Sequence, residues 1–278
     1  MSQLALQAEH LKLARLLGCD EATIANMKGL DVDALRKLRD ACTSMLFDGD
    51  RERLQKVVAS SRLLPKALKA IVAEKALGPT LGSRVAGLLP PDEAADIAKR
   101  VSLAFNTEVT LQIDPRSAVD LLRRIPVSLV VAVTREVLKR GEYIAMARFV
   151  DALSDEQIKA SMAVLDDEAM LRIGFFVESP DRLEEVVGLM SDERLQKVVS
   201  VSAQKELNLG GAVMAMLVGV SENLRARLVE AALSHPDEQV GAHLLEAGAE
   251  HDLLPMLSAL RSKLSKPSAS RLDALLSQ

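Results

Sequence analysis

Apolar residues recur at steps of three and four positions along most of the chain. Two examples of this spacing are Ala118, Leu121, Leu122 and Ile125, and Leu183, Val186, Val187 and Met190. It places apolar side chains on one face of an α-helix. The best strand candidate, residues 127–133 (VSLVVAV), runs into residues at helical spacing and is predicted to be a buried helix. Residues 103–113 have weak periodicity, which indicates an irregular helix or an insertion. The pattern as a whole predicts an all-α fold.

Small polar residues followed by proline or an acidic residue interrupt this pattern at nearly regular intervals. The positions are Asp114, Ser154, Asp166, Ser179, Ser191, Ser221 and Ser234. Ser and Asp accept hydrogen bonds from the free N–H groups at a helix start, and acidic residues favour the positive end of the helix dipole. Positions 114, 154, 191 and 234 are separated by 40, 37 and 43 residues. This is close to the ~40–47-residue period of armadillo and HEAT repeats.

A literal repeat supports this periodicity. Residues 52–58 and residues 193–199 both read ERLQKVV. A helical hairpin cannot bury its apolar face alone, so the sequence predicts a superhelix of stacked two-helix repeats. We expect a small helical cap over residues 1–48, the superhelix over 49–262, and a loop with a short C-terminal helix over 263–278.

Three segments with helix-start residues and amphipathic spacing resemble a known family. They are LLPPDEAADIAKRV (residues 88–101), DPRSAVDLLRRIPVSLVVAV (114–133) and VLDDEAMLRIGFFVESPDRLEEVVGLMSDERLQKVV (164–199). They are similar to the intracellular N-terminal domain of MgtE-type magnesium transporters and to the helical repeats of the flagellar motor switch protein. The resemblance covers roughly residues 85–235. It implies a right-handed superhelix of armadillo/HEAT type that serves as a regulatory or interaction module, without the membrane helices of the transporter.

Composition narrows the function classes. Hydrophobic residues make up 49% of the chain but aromatic residues only 2%, which favours close helix packing by aliphatic side chains. A net charge of −4 gives no overall attraction for nucleic acid or acidic membranes. The longest uncharged run, residues 207–221, is shorter than the ~20 residues of a membrane helix. It contains Gly210 and Gly211, which would allow close helix approach. Two cysteines without a CxxC motif and no signal-peptide pattern indicate a cytoplasmic protein.

No nucleophile, acid–base or phosphate-binding motif stands out, so we expect neither an enzyme nor a cofactor. The leading hypothesis is a non-enzymatic scaffold that binds a protein partner through the concave face of its superhelix.

A DNA-binding regulator is the first alternative. Ala14, Gly18 and Ile24 have the spacing of a helix-turn-helix near residues 13–28. In that case the second helix would enter the major groove and contact DNA through Thr23, Asn26 and Lys28. The two acidic residues that begin this helix, Asp20 and Glu21, oppose binding to phosphates. Nucleic acid is therefore a less favoured partner than a protein.

The second alternative is a module that binds a divalent cation or an apolar ligand. Carboxylates of Asp166, Asp167 and Glu168 could bind Mg²⁺, which prefers oxygen ligands. Helix capping explains the same three acids. Methionine-rich surfaces suit adaptable apolar partners, and a groove could be lined by Met162, Met170, Met190, Met214 and Met216. An ordinary buried core explains the same methionines.

Overall fold

Every regular element in the described part of the chain is helical. The computed structural model describes residues 3–61 and 63–277, apart from the side chains of Lys28, Asp48 and Lys205. No β-strand occurs in these ranges, so the predicted all-α class is confirmed. The chain divides into a first unit, residues 10–165, and a second unit formed by residues 1–9 and 166–278. This division falls inside the stretch for which one continuous array, residues 49–262, is predicted.

Short helices make up the first unit. They are α1 (Gln3–Leu17), most of which belongs to this unit, α2 (Val32–Asp48), α3 (Arg51–Ser61), α4 (Lys66–Val72), α5 (Gly78–Ala86), α6 (Pro91–Ala98), α7 (Leu103–Gln112), α8 (Val119–Leu122), α9 (Val127–Lys139), α10 (Tyr143–Phe149) and α11 (Asp155–Met162). A 3₁₀-helix (Glu21–Gly29) precedes α2, a π-helical turn (Ala73–Leu77) precedes α5, and a 3₁₀ turn (Pro115–Ser117) precedes α8.

The second unit also consists of short helices. Its α-helices are α12 (Asp167–Phe176), α13 (Pro180–Gly188), α14 (Asp192–Ser202), α15 (Gly210–Gly219), α16 (Glu222–Leu233), α17 (Glu238–Glu250), α18 (Leu254–Ala259) and α19 (Lys266–Leu276). Two 3₁₀ turns, Lys205–Leu207 and Leu260–Lys263, connect some of them.

Helices in both units pack on the helix after next. In the first unit, α3, α5, α7, α9 and α11 form one such row, and α4, α6 and α8 form a second. In the second unit, the rows are α12, α14 and α16, and α13, α15, α17 and α19. An interior helix of a row is therefore covered on two sides by its neighbours, whereas a helix at the end of a row is covered on one.

Glutamates join the start of a later helix to an earlier one. The backbone N–H groups of Ser102, Ser221 and Ser265 donate to Glu74, Glu184 and Glu230, which lie 28, 37 and 35 residues earlier. Each of these serines is the N-cap of its helix. In a capping box this N–H is bound by a Glu or Gln of the same helix. Here a distant helix supplies the acceptor, so the hydrogen bond stabilises tertiary packing and the helix start together.

Most of the predicted helix starts are confirmed. The side chains of Ser154, Asp166, Ser179, Ser191 and Ser221 all accept backbone hydrogen bonds as N-caps. Asp114 caps the 3₁₀ turn that precedes α8. Ser234 is the exception, because it ends α16, and Asp237 is the N-cap of α17.

Three segments differ in part from the structure that their sequence predicts. Residues 103–113 contain the regular helix α7, in which the hydroxyls of Thr107 and Thr110 bond to carbonyls four residues earlier. These hydrogen bonds satisfy the hydroxyls of polar β-branched residues within the helix, and the same residues weaken the helical periodicity of the sequence. Residues 127–133 are helical as predicted, but are half-buried to exposed rather than buried. Within the segment 263–278, predicted as a loop with a short helix, the helix takes up most of the length, because Ser265 caps α19 and Pro267 lies in its first turn.

Candidate protein-interaction surface

Exposed apolar side chains are concentrated in one short part of the chain. Of the fourteen large hydrophobic residues that are exposed within the described ranges, eight lie between residues 45 and 72. Two belong to α2, Met45 and Leu46. The other six are on α3, on α4 and in the connection between them, and we call them the α3–α4 surface: Val57, Leu63, Leu64, Leu68, Ile71 and Val72. Such a concentration is typical of a surface that contacts another molecule.

Helix α4 is apolar on two sides, and only one of them is covered. Ala70 is buried in a cluster with Val101 and Phe105. Leu68, Ile71 and Val72 are spaced by three and four residues and share a different face, which is exposed. A helix with apolar residues all round is normally buried. The open face of α4 therefore suits a protein contact.

Two lysines fix the covered side of α4 on α6. Lys66 forms an ion pair with Asp96, and Lys69 forms one with Glu93. The hydrogen bond from Lys66 lowers the pKa of Asp96 below its ordinary value. Because both ammonium groups are held by α6, the apolar face of α4 is kept in a defined orientation.

Helix α3 has a buried and an exposed side as well. Leu54 and Val58 pack in a cluster with Val85 of α5. Arg53 and Val57 lie four residues apart, so they share another face of the helix. The Arg53 side chain is 87% exposed and Val57 is 44% exposed. This face combines a cation with an apolar side chain.

The segment is also strongly basic. Residues 51–72 contain six Lys or Arg residues and one acidic residue, Glu52, in a chain of net charge −4. The overall charge alone does not reveal this surface, which therefore was not predicted from the sequence. A local charge count combined with the helical spacing of Leu68, Ile71 and Val72 could have found it.

A separate group of charges lies inside the first unit around Asp114. Its carboxylate contacts the guanidinium groups of Arg116 and Arg148, at 3.1 and 3.4 Å. Burial lowers the pKa of Arg148; Asp114 opposes this, and the nearby Arg15, Arg116 and Arg39 add to it. Asp40 pairs with Arg116 at 2.9 Å, and Glu142 pairs with Arg15 at 2.8 Å. These contacts join α1, α2 and α10 and make the cluster a structural network.

The predicted Mg²⁺ ligands have three different partners. Asp166 accepts the backbone N–H of Ala169 as a helix cap. Asp167 pairs with Arg194 at 2.8 Å, and Glu168 pairs with Arg172 at 2.7 Å. No group of three His, Cys, Asp or Glu residues within 3–61 and 63–277 is placed to hold a metal. A cation at these acids would have to displace existing contacts, and Mg²⁺ binding stays a prediction.

The predicted methionine groove is not an open surface. Met170, Met190, Met214 and Met216 are buried, and Met162 is half-buried. Met216 packs so closely on Gly174 that a Cβ there would lie 2.8 Å from its sulfur. The four buried methionines act as core side chains, so an apolar ligand could reach them only after a rearrangement.

The predicted helix-turn-helix has a different second element. α1 ends at Leu17, and Gly18 has a φ of +65°, as expected of a turn glycine. However, Glu21–Gly29 is a 3₁₀-helix rather than the α-helix that a recognition helix requires. Thr23 and Asn26 are exposed, and the side chain of Lys28 lies outside the described part of the structure. DNA contact by these three residues stays a prediction.

The fold and this surface define an all-α protein with exposed basic and apolar side chains on α3 and α4. Comparison with models of protein families, with curated proteins and with solved structures found no match to the chain. Across the residues that the structure describes, none of the helices combines the length and the apolar character needed to cross a membrane.

Proposed function

We propose that the chain is a non-enzymatic helical-repeat protein that binds a protein partner, and that the α3–α4 surface is its contact. The observation that carries this proposal is the concentration of exposed apolar side chains on α3 and α4. Burying such side chains in a complex is favourable by about 25 cal/mol per Å² of apolar surface. The proposal places the contact on α3 and α4.

The proposal includes a right-handed superhelix of two-helix repeats, like that of the MgtE N-terminal domain. It is supported by the packing of each helix on the helix after next. Hydrogen bonds between positions 28 to 37 residues apart, such as Ser221 with Glu184, also support it. A regulatory or interaction role is what the family resemblance implies, and a location in the cytoplasm agrees with two cysteines that form no CxxC motif.

Affinity capture with the full chain tests the proposed function. Proteins retained by the wild type are compared with those retained by the double variant Leu68→Glu/Ile71→Glu. Val218→Glu serves as the control, because Val218 is an exposed apolar residue of α15, outside this surface. We expect a partner that the wild type and the control retain and the double variant loses. Equal capture by all three proteins would refute the assignment of the contact to this surface.

A further inference from the structure

The repeated heptapeptide ERLQKVV has the same local structure at its two positions. It forms part of α3 (residues 52–58) and part of α14 (residues 193–199). In both helices the serine three residues after the heptapeptide bonds through its hydroxyl to the carbonyl of the last valine. Leu54 is buried in α3, as is its equivalent Leu195 in α14. Differences between the two helices therefore arise from what packs against them.

Arginine is the first point of difference. Arg194 of α14 lies with its Nε 2.8 Å from Asp167 Oδ1 of α12, and its Nη2 lies 3.9 Å from the sulfur of Met170. The equivalent residue of α3, Arg53, has Asp50 of its own helix start at 3.4 Å and is 87% exposed. The same side chain thus contacts a neighbouring helix in one place and faces solvent in the other.

Valine is the second point of difference. Val198 is four residues after Arg194 and shares its helix face, and it is only 2% exposed. The equivalent residue, Val57, is 44% exposed. α14 packs with α12 and α16 of its own row and also with α15 and α17, whereas α3 packs with α5, which corresponds to α16. The side of α3 that carries Arg53 therefore corresponds to the side of α14 whose arginine pairs with α12.

The structure of α12 shows which features suit this face. Its first residue, Asp167, supplies the carboxylate for the arginine, and its buried side chains three and four residues later are Met170 and Leu171. We propose that the face of α3 formed by Arg53 and Val57 binds an amphipathic α-helix of a partner protein that begins with an acidic residue and has apolar residues three and four positions later. This proposal rests on the proposed function and specifies the partner.

Charge favours this occupant over a second copy of the chain. Pairing two α3 faces would bring the basic groups of Arg53 and Lys56 against each other, and like charges across an interface are unfavourable. An acidic helix start instead supplies the opposite charge and removes Val57 from water. A partner helix is also favoured over an anionic membrane, because the same seven residues already bind a helix in α14.

A peptide with the sequence of residues 164–177 (VLDDEAMLRIGFFV) tests the proposal directly. It contains α12 with its cap, and a staple between the positions of Arg172 and Phe176 would keep it helical without covering Asp167 or Met170. Its helicity is checked by circular dichroism, and its binding to the full chain is measured by fluorescence anisotropy. We expect saturable binding that weakens at least about ten-fold in Arg53→Glu and in Val57→Asp.

Two controls make the test specific. Arg123→Glu makes the same charge change at an exposed site just after α8 and should leave the affinity unchanged. A peptide with Asp167→Arg should bind the wild type weakly and should regain affinity for Arg53→Glu. This charge-swap rescue also shows that the peptide binds α3 rather than displacing α12 from α14, because Arg194 is intact in all variants.

The outcomes separate this proposal from the proposed function. Absence of peptide binding, or binding that Arg53→Glu and Val57→Asp do not weaken, would overturn the proposed helix. If capture of a partner still depended on Leu68 and Ile71, the proposed function would stand. Vesicles with 30% phosphatidylserine and sedimentation equilibrium are run in parallel. Vesicle binding or dimerisation that Val57→Asp abolishes, without peptide binding, would assign the face to a membrane or to a second copy and overturn the proposal.

Discussion

Glu230 accepts two hydrogen bonds from Ser265, a residue that lies 35 positions later in the chain. The backbone N–H of Ser265 donates to Oε2 at 3.0 Å, and its hydroxyl donates to Oε1 at 2.8 Å. Ser268 donates to the same carboxylate from the first turn of α19. A single side chain of α16 therefore caps the start of α19 and also holds α19 against α16.

We expect Glu230→Ala to destabilise the second unit by about 1–3 kcal/mol at pH 7, because it leaves donors at the start of α19 without their acceptor. Burial raises the pKa of Glu230, but the hydrogen bonds from Ser265 and Ser268 outweigh it, and the pKa is lower than the usual 4.5. A lowered folded-state pKa gives stability that is present above about pH 4.5 and is lost as the pH falls through the folded-state value. Urea unfolding at pH 7 and below pH 4.5 measures both effects.

Glu250→Gln is the matched control, since Glu250 is an exposed residue of α17. Its stability should equal that of the wild type within about 0.5 kcal/mol at both pH values. If Glu230→Ala were as stable as this control at pH 7, the bonds between α16 and α19 would not contribute to stability.

Local rules predicted the helices well because the information lies within a few residues. For example, the hydroxyl of Ser154 accepts the backbone N–H of Gln157, and the Gln157 side chain accepts the backbone N–H of Ser154. Both hydrogen bonds therefore lie within four residues of the sequence. The hydrogen bonds that Glu74, Glu184 and Glu230 accept could not be predicted in this way. Their partners are 28 to 37 residues away, and only the packing of the helices brings them together.

The candidate site was harder to predict than the fold. Amphipathic spacing shows that a helix has an apolar face but not whether another helix covers it. The two ERLQKVV segments make this plain, because Val57 is exposed and Val198 is buried although their local sequences are identical. The same limit applies to the predicted methionine groove: Met170, Met190, Met214 and Met216 are buried, and apolar residues at helical spacing describe a core and a binding surface equally well.

The α3–α4 surface should contribute little to folding. We expect the free energy of unfolding of the double variant Leu68→Gln/Ile71→Gln to lie within about 0.5 kcal/mol of the wild-type value, because both side chains are exposed in the free protein. Leu54→Ala, on the buried side of α3, should cost about 2–5 kcal/mol. Urea unfolding followed by circular dichroism at 222 nm compares them. A large loss in the double variant would mean that this surface is part of the core.

Close packing of α15 on α17 depends on Gly210. A Cβ at this position would lie 3.1 Å from the Cβ of Ala247, which has no rotatable bond with which to move away. We expect Gly210→Val to destabilise the protein by about 1–3 kcal/mol through overpacking. Gly188→Ala is the control: it meets nothing within 4 Å and should change stability by 0 to about +1 kcal/mol. Equal thermal unfolding of the two variants would contradict the close approach that the sequence predicts for Gly210.

Asp114 should matter more than any single arginine around it. Its carboxylate is the acceptor for Arg116 and Arg148, and burial together with Arg15, Arg116 and Arg39 lowers the pKa of Arg148. Removing the carboxylate leaves these cations repelling one another in a partly buried place, so we expect Asp114→Ala to cost about 3–5 kcal/mol. Arg148→Met removes one of the repelling charges while keeping an apolar stem, and it should cost clearly less. Urea unfolding of the two variants measures the difference. Equal losses of unfolding free energy would show that repulsion among the four arginines does not contribute at this site. A larger loss in Arg148→Met would show that the packing of the Arg148 side chain matters more than the charge of Asp114.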